Sequence, residues 1–271
     1  MQKKRLDVLL VEKGLAESRS RAQRLIMAGE VMVNGVQRLR PSEIYSDEIA
    51  IALRETAPFI SRGGEKLEAS IQAFGFSDLT GKVCADIGAS TGGFTDCLLQ
   101  HGAEKVYAVD VGYGQLHWKL RNDPRVVVME KTNVRNLKTL PEKMDMVVVD
   151  VSFISLRAIF PVLKGLMKES EAAMIALIKP QFEAGKQEAA RGKGVIRDPV
   201  VHKKVLENVL QAAQAQGLYL HGLIPSPIKG PKGNIEFLAL FRAEPGQENL
   251  EQRIQQVLEK EVGTAEPQET Q

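Results

Sequence analysis

Asp150 ends the run Met146-Val-Val-Val-Asp150-Val-Ser152-Phe153, and Lys179 directly follows six apolar residues, Ala173–Ile178. Polar groups at the carboxyl ends of buried parallel strands stand where such sheets bind ligands. A lysine there is either functional or a side chain snorkelling from a strand end. Glu236 interrupts another apolar run, Ile235-Glu236-Phe237-Leu238-Ala239-Leu240, unless it marks the outward face of an edge strand. Lys66 lies in a segment of helical pattern ahead of these runs and is unremarkable alone.

A second group of residues reads as a cofactor loop. The short apolar run Lys82–Ile87 carries Asp86 and leads into Gly88-Ala-Ser90-Thr-Gly92-Gly93-Phe94-Thr95. Glycines after a buried strand allow a tight turn and close approach of backbone to ligand. Ser90 replaces the second glycine of the dinucleotide fingerprint, and no Gly-Lys-Ser/Thr follows, so neither that fingerprint nor a P-loop is present. Asp110, 24 residues after Asp86, closes the next strand, where a carboxylate accepts ribose hydroxyls. An acid ahead of the loop would repel a pyrophosphate but accept from an ammonium group. The pair therefore points to S-adenosylmethionine. The bland alternatives are a cap for Asp86 and a turn residue for Asp110.

The methyl acceptor follows partly by elimination. No Asn/Asp-Pro-Pro-aromatic run, common in amine methylation of bases, is present. Cys84 within a strand and Cys97 within a helix read as small core residues, so no cysteine nucleophile for carbon methylation stands out. Oxygen remains. No metal-ligand spacing is visible, and no metal is expected.

Strands and helices must position these groups. From residue 82 they alternate: strands at 82–87, 105–110, 126–129, 146–150, 173–178, 218–223 and 235–241, with helices at 65–74, 93–100, 115–120, 155–167 and 198–216. Alternation predicts a doubly wound, Rossmann-like α/β sheet. The last two strands lack an intervening helix, so the final one is expected to run antiparallel. Residues 54–63 read as a linker, and 246–271 as a polar tail with one weak amphipathic helix and a disordered end.

Residues 1–60 form a separate small α+β unit by pattern: helices at 5–13 and 18–28, then Val31–Val33 running into Asn34-Gly35, a strong hairpin signal. Residues 1–40 hold nine Lys/Arg against four Asp/Glu, whereas 246–271 hold two against six. A basic head implies a polyanion or merely a solvated surface. The ordered motifs Arg-Leu-Asp, Ser-Arg-Ser-x-Ala, Leu-Ile-x-Ala-Gly-x-Val and Val-Asn-Gly resemble the S-four-type RNA-binding module. That resemblance implies that Arg5, Arg19, Arg21, Arg24 and Asn34 lie near RNA phosphates.

Residues 62–242 resemble the FtsJ-type ribose 2′-O-methyltransferases, whose Lys-Asp-Lys-Glu tetrad matches Lys66, Asp150, Lys179 and Glu236. With the fused head, residues 1 to about 245 resemble the TlyA family, also labelled haemolysin in older naming. The resemblance implies S-adenosylmethionine bound by Asp86, Gly88, Ser90, Gly92, Gly93, Phe94, Asp110 and Asn133, with Asn133 near the adenine. It implies an enzyme acting on cytidine ribose in ribosomal RNA or ribosomal subunits. Lys179 would be the base for the attacking hydroxyl, with Lys66 supplying a neighbouring cation, Asp150 holding Lys179 and the methyl region, and Glu236 steering Lys66 or the hydroxyl. The alternatives are the reversed protonation assignment and a mostly positional mechanism. Lys186 and Arg191 with Lys193, in a loop at 180–198, and Lys229 and Lys232, in a loop at 225–234, are expected to hold the RNA strand.

The chain has 271 residues, 44% hydrophobic and 26% charged, with a net charge of +2 and two cysteines. This excludes disordered, collagenous and disulfide-built classes. No stretch approaches the roughly 18 apolar residues of a membrane helix, and the N-terminal apolar run is cut by Asp7 and Glu12. A cytoplasmic enzyme is expected. The competing readings are a membrane-active haemolysin and an RNA-binding assembly factor with an inactive cofactor fold. The oligomeric state is left open.

Overall fold

Short amphipathic helices and strands can bury one stripe only by packing on each other, and the N-terminal unit does so. A computed structural model describes residues 3–53, 58–246 and 249–263. The chain divides into two units, Met1–Ala57 and Pro58–Gln271. The first runs β1 (Lys3–Arg5), α1 (Leu6–Glu12), α2 (Arg19–Met27), β2 (Val31–Val33), β3 (Val36–Arg38), β4 (Ile44–Ser46) and β5 (Ile51–Leu53). Ser18 caps α2 by accepting from the Arg21 amide. Asn34 and Gly35 both take positive φ, 48° and 75°, as a two-residue hairpin between right-twisted strands requires. Leu6, Leu10, Ala22, Ile26, Val31 and Val33 form the core. The pairing of β1 with β4 has no counterpart in the sequence reading, because three-residue strands carry too little periodicity to register.

The second unit holds α3 (Gly63–Phe74), β6 (Val83–Ile87), α4 (Gly93–Gln100), β7 (Lys105–Val109), α5 (Trp118–Arg121), β8 (Val126–Met129), β9 (Met146–Val149), α6 (Phe160–Leu166), β10 (Ala173–Ile178), α7 (Pro180–Glu183), α8 (Lys186–Arg191), α9 (Pro199–Ala215), β11 (Tyr219–Pro225), β12 (Phe237–Arg242) and α10 (Leu250–Gly263). Seven strands form one sheet in the order β11-β12-β10-β9-β6-β7-β8. All neighbours are parallel except β12, which is antiparallel to both β10 and β11. Alternate residues feed two cores. Ile87, Val149 and Ile178 belong to one, and Cys84, Val148 and Leu177 to the other. Covering both faces is what makes β10 apolar throughout.

Two consequences place the site. The chain winds outward from β6 in one direction through β7 and β8, and in the other through β9 and β10. Their boundary is the switch point where such sheets open a crevice. The antiparallel β12 pairs its first residue, Phe237, with Ile178, the last residue of β10. Glu236 and Lys179 therefore emerge at the same edge.

The structure corrects several expectations. Residues 54–57 of the expected linker lie outside the described residues, but 58–63 belong to the sheet unit. Phe59 is buried against Gly64, where a Cβ would stand 2.2 Å from its ring, and the Ile60 amide donates to Asp96. The expected loop at 180–198 contains the short helices α7 and α8. The segment 155–167 is a 3-10 turn followed by α6, because Pro161 cannot donate in a continuous helix. The tail helix is α10, and its Ile254, Val257 and Leu258 join the core beside α9 and β11. Residues 264–271, where the disordered end was expected, lie outside the described residues.

Candidate active site

The four tetrad positions resolve into two ion pairs. Lys66, in the first turn of α3, places Nζ 2.6 Å from Glu236 Oε2, and both side chains are nearly fully buried. The other oxygen, Glu236 Oε1, accepts from Gln181 Nε2 at 2.9 Å. Lys179 Nζ pairs with the Asp150 carboxylate and donates to Ser152 Oγ at 3.0 Å. Lys66, Asp150 and Lys179 line one cavity of about 450 Å³, together with Arg62 and Lys229. Glu236 stands behind Lys66. Gly230 must be glycine for packing reasons, since a Cβ there would lie 2.1 Å from Glu236 Oε1.

A second cavity of about 530 Å³ lies along the ends of β6, β7 and β9, and shares Gly88, Ser90 and Asp150 with the first. Asp110 and Asn133 line it. The Asp110 carboxylate accepts from Ser90 N at 2.8 Å and Gly112 N at 2.6 Å, so it shapes the glycine loop it faces. Asn133 caps the turn after β8 by accepting from the Arg135 amide. Gly88 has φ of 89°, and a Cβ there would stand 2.4 Å from the Asp150 carbonyl. Only glycine lets these two strand ends meet. Gly93 and Phe94 line the tetrad cavity.

Asp86 and Gly92 line neither cavity. Asp86 is fully buried and accepts from the amide and hydroxyl of Thr95 through Oδ2, at 2.9 and 2.7 Å. Through Oδ2 it fixes the first turn of α4. Its Oδ1 is buried without a hydrogen-bond partner. Gly92 packs against Leu116 and Leu120. Burial pushes the Asp86 carboxyl up to about 7; repulsion from Asp150 and Asp110 adds to this, and the Thr95 bonds oppose it. In the unfolded chain the group titrates near 3.8. The folded chain therefore holds an extra proton between these values, and stability falls as pH rises through that window. Asp86→Asn removes the charge and keeps an acceptor for Thr95. The variant is expected to gain about 2 kcal/mol relative to wild type on going from pH 5 to pH 8. Urea unfolding at both pH values measures this. A constant difference would show that the carboxyl does not change charge there.

In the N-terminal unit, Arg5 makes a bidentate pair with buried Asp7, at 3.0 Å for both contacts, and Arg19 and Gln23 add to it. Arg5 beside Asp7 holds that carboxyl far below the usual range. The guanidinium groups of Arg5 and Arg19 are thus braced but still exposed, while Arg21, Arg24 and Asn34 are exposed. Of the five basic residues expected on the C-terminal loops, Lys229 reaches the tetrad cavity. Lys193 and Lys232 are exposed, Arg191 pairs with Glu188 on α8, and Lys186 begins that helix.

Sequence reasoning missed Arg62, Gln181 and the part played by Phe153. Arg62 follows Ser61 into the Gly63-Gly64 start of α3 and was hidden by the linker reading. Phe153 is 91% exposed with φ of 63°, an uncommon conformation for a bulky residue. Its ring packs at a tilt of 51° against Phe182, with centroids 4.9 Å apart. Glu183 holds this loop by accepting from Ser155 Oγ and Leu156 N. Both cysteines are buried, and burial pushes the Cys84 thiol up to about 12 and the Cys97 thiol higher still. Neither lines the cavities.

Comparisons with known proteins agree with this geometry. The FtsJ-like methyltransferase model matches residues 59–243, and the S4 domain model matches residues 4–48. The "16S/23S rRNA (cytidine-2'-O)-methyltransferase TlyA" of Mycobacterium tuberculosis is 43% identical over 244 residues, 89% of this chain and 90% of its own. "Hemolysin A" of Brachyspira hyodysenteriae is 46% identical over 240 residues, 88% of this chain and 99% of its own. A solved structure bearing a hemolysin name, from Streptococcus thermophilus, is 42% identical with a TM-score of 0.73, covering 97% of each chain. With the tetrad positions paired at one edge of a seven-stranded sheet, and a family model spanning that whole sheet, the chain belongs to the FtsJ-like methyltransferase family, with an S4 domain at its N-terminus.

Proposed function

We propose that this methyltransferase uses S-adenosylmethionine to methylate a ribose 2′-hydroxyl of ribosomal RNA, at a cytidine. The observation that carries the reading is the joining of two cavities at Gly88, Ser90 and Asp150, one lined by Asp110 and the other by Lys66 and Lys179. When bound, S-adenosylmethionine supplies a methyl group already activated on a sulfonium. Asp110 would hold the cofactor's ribose, Asn133 its base end, and Gly88 and Ser90 the turn between. On the other side, Lys179 first releases its ammonium proton to solvent; the neutral amine then takes the 2′-hydroxyl proton, and the Asp150 carboxylate stabilises the ammonium that results. Lys66, held by Glu236, stays a fixed cation that orients the ribose or its phosphate, with Arg62 and Lys229 beside it.

RNA as the substrate rests on three supports. The S4 domain presents exposed Arg21 and Arg24 beside the braced Arg5 and Arg19, a sequence-independent phosphate surface. Every exposed aromatic side chain among the described residues, Tyr113, Trp118 and Phe153, follows the carboxyl end of β7 or β9. Exposed rings at this edge of the sheet, with Phe153 lining the second cavity, suit the stacking of splayed bases. The name of the Mycobacterium tuberculosis relative supplies cytidine and ribosomal RNA. A cytoplasmic setting follows from such a substrate. No helix among the described residues is long and apolar enough to cross a membrane.

The test is transfer of labelled methyl from S-adenosylmethionine to purified small and large ribosomal subunits lacking the modification. Label recovered in an alkali-resistant dinucleotide is the expected result. Label in neither subunit, with cofactor bound, would overturn the ribosomal assignment. Phe153→Ala is expected to lower kcat/KM for RNA by about tenfold or more, the worth of one base stack, and to leave the urea midpoint unchanged because the ring is exposed. Unaltered kinetics would remove Phe153 from the RNA site.

A further inference from the structure

We propose that α3 and α4 carry a binding site for a borderline divalent cation of the zinc class, built from Glu68, Cys97 and His101. Glu68 lies on α3, and Cys97 and His101 are four residues apart on one face of α4 and its cap. Glu68 Oε2 stands 2.6 Å from His101 Nε2 and 3.6 Å from Cys97 Sγ, and the three donor atoms all lie within 4.8 Å of one another. This group is outside the methyl-transfer cavities.

The second observation is the far side of the His101 ring. Nδ1 lies 3.1 Å from the Ser77 carbonyl oxygen, which can only accept, so Nδ1 carries a proton. Nε2 is then the nitrogen that faces Glu68 and Cys97. A backbone carbonyl fixing one ring nitrogen while the other faces the ligand set is the usual support of a metal-bound imidazole. One sulfur, one nitrogen and one carboxylate oxygen suit zinc or cobalt; calcium and magnesium prefer oxygen throughout. Glu68 and His101 also line a cavity of about 550 Å³ beside Pro58, Phe59 and Pro227, from which water can complete a tetrahedral set. Binding replaces two protons, one on Cys97 Sγ and one shared between His101 Nε2 and Glu68.

The site would fasten the helix carrying Lys66 to the helix that begins at the glycine loop. Its role is therefore structural, a clamp on the two elements that frame the tetrad cavity. The test uses the untagged full chain, stripped by a chelator and titrated with Co²⁺. The expected result is one equivalent bound, with visible bands of four-coordinate cobalt and a thiolate charge-transfer band in the near ultraviolet. Cys97→Ser should abolish the charge-transfer band. Glu68→Gln, at a more exposed position, should weaken binding by at least about tenfold and covers the case in which the buried Cys97→Ser chain does not fold. Zn²⁺ should raise the melting temperature of wild type more than that of Glu68→Gln. No absorption and no shift in melting for wild type, or bands unaltered in both Glu68→Gln and His101→Gln, would overturn the assignment.

Discussion

Replacing Lys179 by alanine is expected to slow methyl transfer by about 1,000-fold, within the range for loss of a positioned general base. Lys179 is held by Asp150 and Ser152 at the end of β10, where it lines the tetrad cavity. The fold should survive, because the Asp150 side chain left behind is 22% exposed and water can reach it. Lys179→Arg sharpens the test. It preserves a cation at the strand end but offers no neutral amine at working pH. Single-turnover methylation at saturating cofactor separates the roles. Strong loss in both variants supports proton transfer, whereas rescue by arginine supports a purely positional cation. Retention of more than about a tenth of the rate in Lys179→Ala would remove the residue from the chemistry.

The second large effect lies on stability. Glu236→Ala is expected to cost about 3–5 kcal/mol, because it strands the Lys66 ammonium in a buried position. The pair is 9% and 0% exposed at its side chains, so solvent screens it little. Gln181 also loses its acceptor. The double variant Lys66→Met/Glu236→Leu should recover most of that stability, since an apolar pair of similar size replaces a buried ion pair at little cost. Methylation should stay low in the double variant. Urea unfolding of the two single variants and the double gives the coupling between the residues. Additive losses with no recovery would mean that the pair does not interact as the 2.6 Å contact implies.

The contrast between Lys179 and Asp86 shows how far residue type and position carry. Lys179 and Asp150 were visible because each breaks a long apolar run at its carboxyl end, and parallel strands bring such ends to one edge. Asp86 precedes its glycine loop in the same way, yet its side chain turns to Thr95 on α4. Register explains this: Asp86 lies level with Val148, inside the sheet, whereas Asp150 and Lys179 each lie one residue past their strand ends. Standing two residues further back leaves a side chain of the same parity in the packing between sheet and helix instead of at the crevice edge. Arg62 went unrecognised for the opposite reason. Its neighbourhood has the Gly and Pro content of a linker, and only folded contacts tie it to the sheet unit: Phe59 packs on Gly64, Ile60 N donates to Asp96, and Arg62 donates to the Lys229 carbonyl.

The amphipathic tail had a similar fate. Ile254, Val257 and Leu258 follow helical spacing, but a weak stripe on a polar helix says nothing about which surface receives it. In the fold, α9 and β11 leave an apolar face that α10 covers. The metal-ligand group of Glu68, Cys97 and His101 likewise has no sequence signature, since Glu68 comes from a different helix than the other two.

The order of strands and helices, the antiparallel final strand and the hairpin of the small unit were determined by the sequence alone. These follow from periodicity, turn residues and connection length, which are local properties of the chain, whereas the four tetrad positions came from the resemblance of their motifs to a family. Tertiary structure alone decided the contacts that join each acid to its lysine. Glu236 meets Lys66, 170 positions away, because β12 runs antiparallel and starts beside the end of β10, while the first turn of α3 lies against the same edge. Pairings of that kind depend on sheet register and helix docking, which no local pattern encodes.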